Sequence, residues 1–173
     1  MLLADKKKRQ NLSEYIVYMY QTEMLVRNFE FDIQKIENHV VKNIPEESLN
    51  AEGKAELTEW YKGIIAQMKE EALEREGHLS FVQEEVKRLS DLSLQLQVND
   101  ENYRAIFNRA RPAIRASIVE SNGLVNDPIQ ACLNGILGLL IARMNGKEIL
   151  DDTLEQLDHF GNVLSYLSMK VGY

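Results

Sequence analysis

Apolar residues recur along this chain at spacings of three and four, the period of an amphipathic α-helix. Leu12, Ile16, Met19, Val26, Ile33, Val40 and Ile44 fall on one track, widened by Phe29 and Ile36. This predicts a long first helix from Asn11 or Ser13 to Ile44, about 45 Å from end to end at 1.5 Å per residue. Pro45 closes it, because the residue before proline avoids the α region, and Asn28 marks the one place for a break. Residues 1–10 lie ahead of the periodic pattern and read as a flexible lead-in. Ser48 or Asn50 can cap a second helix with Glu52 in its first turn and Leu57, Trp60, Tyr61, Ile64, Met68 and Ala72 on its inner face. Gly77 interrupts the pattern before it resumes at Leu79, Val82, Val86, Leu89 and Leu96, so two helices, or one with a kink, are expected there.

Asn99-Asp100 opens the next element, with Tyr103, Phe107, Ala110, Ile114 and Ile118 inward. Pro112 within it predicts a kink or a restart, since proline removes a hydrogen bond and crowds the preceding turn. Asn122-Gly123 ends it, Asp127-Pro128 starts another helix, Asn145-Gly146 stops that one, and the last begins near Asp151 with Leu154, Leu157, Phe160, Leu164 and Leu167. No strand alternation, internal repeat or low-complexity linker is visible. The expectation is an all-α, single-domain bundle of five to six helices over residues 1–173, the first of them long.

Composition changes this picture little. The 173 residues are 45% hydrophobic and 27% charged, a globular balance. A net charge of −7 argues against nucleic-acid binding, which draws its affinity from cations on phosphates. The single cysteine, Cys132, cannot form an internal disulfide, and Lys6-Lys7-Lys8-Arg9 leads into no apolar signal region, so the expected setting is the cytoplasm. The most apolar run, Ile129–Ala142, is shorter than the roughly 20 residues a bilayer requires and reads as a buried helix.

Catalytic motifs are missing. The positions three before His39, His78 and His159 are Ile36, Arg75 and Gln156, so the Glu-x-x-His of di-iron bundles does not occur. Phosphate-binding glycine loops and a nucleophile elbow are absent as well, and neither a metal nor a cofactor is expected. Four polar or small-residue groups remain. Arg104, Asn108, Arg111 and Arg115 share one helix face; they either bridge to acids such as Glu23, Glu30 or Asp32, or form an anion groove, as arginine forks suit carboxylate and phosphate. Arg75 and His78 flank Gly77 and could add to such a groove. Glu23 sits on a core-facing track and needs a partner, for which Arg27, four residues on, is the expected choice. Ala131, Gly135, Gly138 and Ala142 make a small-residue track, either packed within one subunit or a homodimer seam.

Several stretches resemble a family of uncharacterised all-helical proteins of Bacteroidetes bacteria, classed as a domain of unknown function. The carrying residues are Glu14-Tyr15-Ile16-Val17-Tyr18-Met19, Phe31-Asp32-Ile33-Gln34-Lys35-Ile36, Arg75-Glu76-Gly77-His78-Leu79 and Gly146-Lys147-Glu148-Ile149. The resemblance implies a helical fold in a cytoplasmic bacterial setting and no particular activity. From the residues, a non-enzymatic interaction or scaffold domain is expected, with a homodimer or another protein as partner, and no nucleic acid or membrane. The alternative is a small-anion binder, or an enzyme, with an arginine-lined cleft.

Overall fold

Residue by residue, the helical period read above becomes helix in the computed structural model, which describes residues 2–172 and contains no strand among them. The order is α1 (Leu3–Gln10), α2 (Leu12–Asn28), α3 (Ile33–Ile36) running into a π-helical turn at Glu37–Val41, α4 (Ala51–Glu70), α5 (Ser80–Asn99), α6 (Glu101–Glu120), α7 (Pro128–Met144) and α8 (Asp151–Lys170). Helices α2, α5, α6, α7 and α8 form the bundle. α7 touches each of the other four; α3, the π turn and α4 form a side layer that meets the bundle mainly through α2.

Two expectations need correction. The described chain has eight helices rather than five to six, because the long first helix does not exist as one piece. It is cut first at Asn11, whose extended backbone (φ −157°, ψ 103°) ends α1 while its side chain accepts the Glu14 N–H and caps α2. The segment ahead of it, expected to be a flexible lead-in, is helical: α1 packs on α2 and buries Ala4. The second cut follows Asn28. Glu30 (φ 55°) and Phe31 (φ 61°) are left-handed, the Glu30 N–H donates to the Arg27 carbonyl and the Phe31 N–H to the Val26 carbonyl, both at 3.0 Å. That is a Schellman ending, with Val26 in the core and Phe31 packed against the core. Asp32 then caps α3 through the Gln34 and Lys35 N–H groups.

α2 itself contains Tyr15-Ile16-Val17-Tyr18-Met19-Tyr20, a run whose intrinsic preference is as much for strand as for helix. The helix cost of such residues is at most about 0.7 kcal/mol each, whereas burying a large apolar side chain contributes roughly 1.5–3 kcal/mol. Leu12, Ile16, Met19 and Val26 are essentially inaccessible, so packing decides the outcome. Around Gly77 the structure has two helices: α4 ends, residues 71–79 cross over, and α5 begins. Pro112, in contrast, does not restart its helix, and α6 runs without interruption from Glu101 to Glu120. Pro112 and Asn108, whose carbonyl loses its partner, are both exposed and so water can serve that carbonyl, while Phe107, Ala110, Ala113 and Ile114 hold the inner face.

One polar contact locks three bundle helices together. Asp100, between α5 and α6, caps α6 by accepting the Tyr103 N–H at 3.0 Å and accepts the Tyr166 hydroxyl of α8 at 2.7 Å. Lys170 lies 3.9 Å from it. The Tyr166 hydrogen bond, then the Tyr103 N–H, hold the Asp100 carboxyl below the usual carboxylate value. A carboxyl depressed in the folded state stabilises above its unfolded pKa, about 3.9, and that contribution disappears as pH falls through the folded value. Urea melts of wild type and Asp100→Asn should therefore differ most at neutral pH and converge below about pH 4; a gap that does not depend on pH would contradict this role.

Candidate functional site

Glu23 is the one carboxylate on the inner face of α2, and no part of its side chain is exposed. A charge there is tolerated only when hydrogen-bonded and paired. Arg27 is the expected partner, and the structure corrects this. Glu23 Oε1 lies 2.7 Å from His78 Nδ1, and Oε2 accepts the Leu79 N–H at 2.7 Å. A carboxylate only accepts, so the Nδ1 atom of His78 carries a proton. Arg27 turns instead to the same crossover from the other side, donating from Nε to the Leu73 carbonyl at 3.0 Å and from Nη2 to the Gly77 carbonyl at 2.6 Å. An i, i+4 spacing permits a Glu23–Arg27 pair on the helix surface, but the buried carboxylate and the crossover carbonyls are each better satisfied this way.

Residues 71–79 are thus held by side chains from α2 and from the end of α4. Glu71, just past α4, accepts the Ser80 N–H at 2.9 Å and the Gln67 side-chain amide at 2.7 Å. The Gln67 hydrogen bond first, and the Ser80 N–H after it, lower its pKa. No local side chain caps α5; two carboxylates, Glu23 from α2 and Glu71 from the end of α4, take the first N–H groups, where the helix dipole favours negative charge. Gly77, at φ +95°, takes a conformation that glycine adopts without strain.

His78 lies flat on Tyr20, with ring centroids 3.8 Å apart and planes at 19°. The Tyr20 hydroxyl donates to Gln83 Oε1 at 2.7 Å and accepts from Gln130 Nε2 at 3.0 Å. Gln83 Nε2 donates to Gln130 Oε1 at 3.2 Å, and Gln130 Nε2 reaches Asn134 Oδ1 at 2.9 Å. Burial, the largest influence, pushes the Tyr20 phenol well above its ordinary pKa, so it stays neutral. Glu23, His78, Tyr20, Gln83, Gln130 and Asn134 therefore run as one polar thread from α2 through α5 to α7. Neither Tyr20 nor the two glutamines stand out in the sequence. The available signal is a second polar residue, Tyr20, three positions before Glu23 on the inner face of α2.

A carboxylate orienting an imidazole is also the geometry of a general base. Five surface grooves of about 320–440 Å³ are lined by other residues, and Glu23, His78 and Tyr20 stand in none of these five. The groove of about 360 Å³ between α2, α7 and α8 is walled by Val17, Tyr18, Ile136, Leu140 and Leu164 and contains none of the three. Among the described residues no group of three or more His, Cys, Asp or Glu is placed to hold a metal ion. Burial pushes the Cys132 thiol up to about 12, which keeps it protonated and inert.

The arginine track does not assemble. Arg104 donates to the Gln97 and Val98 carbonyls, both at 2.8 Å, and so finishes the C-terminal end of α5. Arg111 bonds Asn108 Oδ1 at 3.1 Å and covers the Phe107 ring at 5.0 Å. Arg115 and Arg75 are exposed, and none of these arginines reaches the acids named as partners or lines the grooves above. The small-residue track divides in two. Ala131 is buried, and a Cβ on Gly135 would come within 2.7 Å of the Phe160 ring of α8, so this half serves packing inside the chain. Gly138 is exposed, a Cβ added to it would meet nothing within 4 Å, and Ala142 is only half-buried.

Truncating Glu23 would leave His78 and the Leu79 N–H without their acceptor. Glu23→Ala is expected to cost about 3–5 kcal/mol, and Glu23→Gln, which keeps an acceptor for the N–H and a group facing the imidazole, about 1–3 kcal/mol. Urea unfolding measures both; equal, small losses would remove the thread from its structural role.

No curated protein and no solved structure matches this chain. One family model does, from residue 1 to residue 172, and on that match the chain belongs to the family described as Domain of unknown function (DUF4924).

Proposed function

We propose that this chain works by binding another protein through the outer part of the α7–α8 hairpin, as an interaction or scaffold domain. One observation carries the reading. Between residues 134 and 159 no position is buried, although the stretch includes the apolar C-terminal half of α7. Arg143 is the only charged residue in Pro128–Met144, and a helix apolar on every side is built to be covered on every side. Ile136, Leu137, Leu140 and Leu157 lean on the core, whereas Leu139, Ile141, Met144, Ile149, Leu150 and Leu154 do not. Met144 and Leu150 are 77% and 78% exposed. Exposed apolar side chains gathered at one end of a helical hairpin, among charged residues, mark protein contacts. Among the described residues no helix is long and apolar enough to cross a membrane. The bacterial, cytoplasmic setting implied by the resemblance belongs to the same proposal.

The test joins stability to contact. Met144→Glu/Leu150→Glu should unfold within about 0.5 kcal/mol of wild type, as exposed positions do. A photo-crosslinking residue at position 150, in cells that make this chain naturally, should give a discrete protein adduct that the Met144→Glu background loses; the same residue at the exposed Ala105 of α6 should give none. A loss of several kcal/mol in the double variant, or adducts that ignore Met144→Glu, would overturn the reading.

A further inference from the structure

We infer that the occupant of this surface is a second copy of the same chain, docked hairpin to hairpin about a two-fold axis. The inference rests on the interaction reading above and adds the identity of the partner. Three features of the hairpin support it.

The first is charge. Arg143 and Lys147 end α7, and Glu148, Asp151, Asp152, Glu155 and Asp158 follow on the loop and the first turns of α8; all are exposed, and none makes an ion pair within the described residues. The apolar surface therefore carries both signs on its own rim, the cations on the α7 side and the anions on the α8 side. In a two-fold contact, residue i meets residue j and j meets i. The basic end of one α7 then lies on the acidic start of the partner's α8, and the arrangement occurs twice. Each copy thus offers its two cations to the five anions of the other, so a two-fold contact can meet both cations of each partner with acid in excess.

The second is extent. Fifteen of residues 134–159 are exposed, enough for a contact of modest size beside the roughly 20–30 residues that each side of a standard stable interface contributes. The third is the backbone at Gly138. A Cβ there would meet nothing within 4 Å in the single chain, as is also true of Gly63 in α4 and Gly161 in α8, so the backbone at this exposed helical position is open to the close approach of another helix. Two hairpins placed this way give four helices around Leu139, Ile141, Met144, Leu150 and Leu154, and those side chains gain the cover that the bundle does not give them.

Sedimentation equilibrium of the full purified chain tests this. Wild type should weigh twice 19.9 kDa, and Met144→Glu/Leu150→Glu should weigh one chain with an unchanged circular dichroism spectrum. Two charge variants examine the pairing itself. Arg143→Glu/Lys147→Glu sets acid against acid, and Asp151→Lys/Asp152→Lys sets base against base, so each alone should dimerise at least about tenfold more weakly. Mixed in equal amounts, they should recover wild-type affinity as a heterodimer, because every contact then joins opposite signs. A wild-type monomer at high micromolar concentration overturns the inference, as does wild-type dimerisation by both charge variants. A crosslinked adduct at position 150 that is heavier than the chain but is not a second copy would also overturn it while leaving the interaction reading in place, so the two claims fail separately.

Discussion

The fold turns on one buried carboxylate. Glu23 sits on the face of α2 that packs into the molecule, where an unpaired charge costs several kcal/mol in a structure whose whole margin is about 5–15 kcal/mol. Its oxygens must be met, and the groups that meet them, His78 and the Leu79 N–H, belong to the crossover between α4 and α5. Arg27, one turn later on the same helix, takes two carbonyls of that crossover. The side layer of α3 and α4 is therefore fastened to the bundle at a point fixed by hydrogen-bond geometry as well as by apolar contact. Apolar packing alone tolerates sliding; a carboxylate with two partners at 2.7 Å does not.

The thread beyond Glu23 extends that constraint. Tyr20, Gln83 and Gln130 each satisfy one another across α2, α5 and α7, and a rotation of any one helix would leave half-buried amides or the buried phenol without partners. The aromatic face of Tyr20 shields the His78 ring while its hydroxyl anchors the glutamines. The same carboxylate–imidazole contact sets helix register, since it joins α2 to the crossover between α4 and α5.

How far the sequence can be read depends on which signals are written in glycine. Helix α7 ends at Gly146 (φ 69°) and α6 at Asn122 (φ 53°), both residues that announce a left-handed ending, and both ends are legible. Helices α2 and α4 end in the same hydrogen-bond pattern with Glu30 and Ala72 in the left-handed position, residues that usually continue a helix. The first of these gives no definite stop in the sequence, and the periodic pattern runs on through it. A subtler mark is present at each: an apolar pair, Val26 with Phe31 and Met68 with Leu73, at the two positions that the longer backbone hydrogen bond of a Schellman motif joins. The apolar period of the bundle helices is legible because it records burial directly. Pro112 misleads in the opposite direction, since an exposed proline removes only a bond that water can replace.

The polar site shows the same limit from another angle. That Glu23 needs a partner follows from its place on an apolar track, and that His78 stands at a break follows from Gly77; what joins them is the fold, which brings residues 55 apart in the chain to 2.7 Å. Local spacing proposes Arg27 and cannot propose His78. The arginine track fails for a related reason, because a guanidinium finds backbone carbonyls and ring faces nearby as readily as it finds an anion, and Arg104 and Arg111 do so within one helical hairpin. For α7 the pattern reads as a helix buried throughout, and the structure corrects this, burying it only in part. Its first half, at Ile129, Cys132 and Leu133, is buried by its own chain. Its second half carries the same apolar character without the cover, and a composition that evolution would otherwise relieve with charge is accounted for when that cover comes from outside.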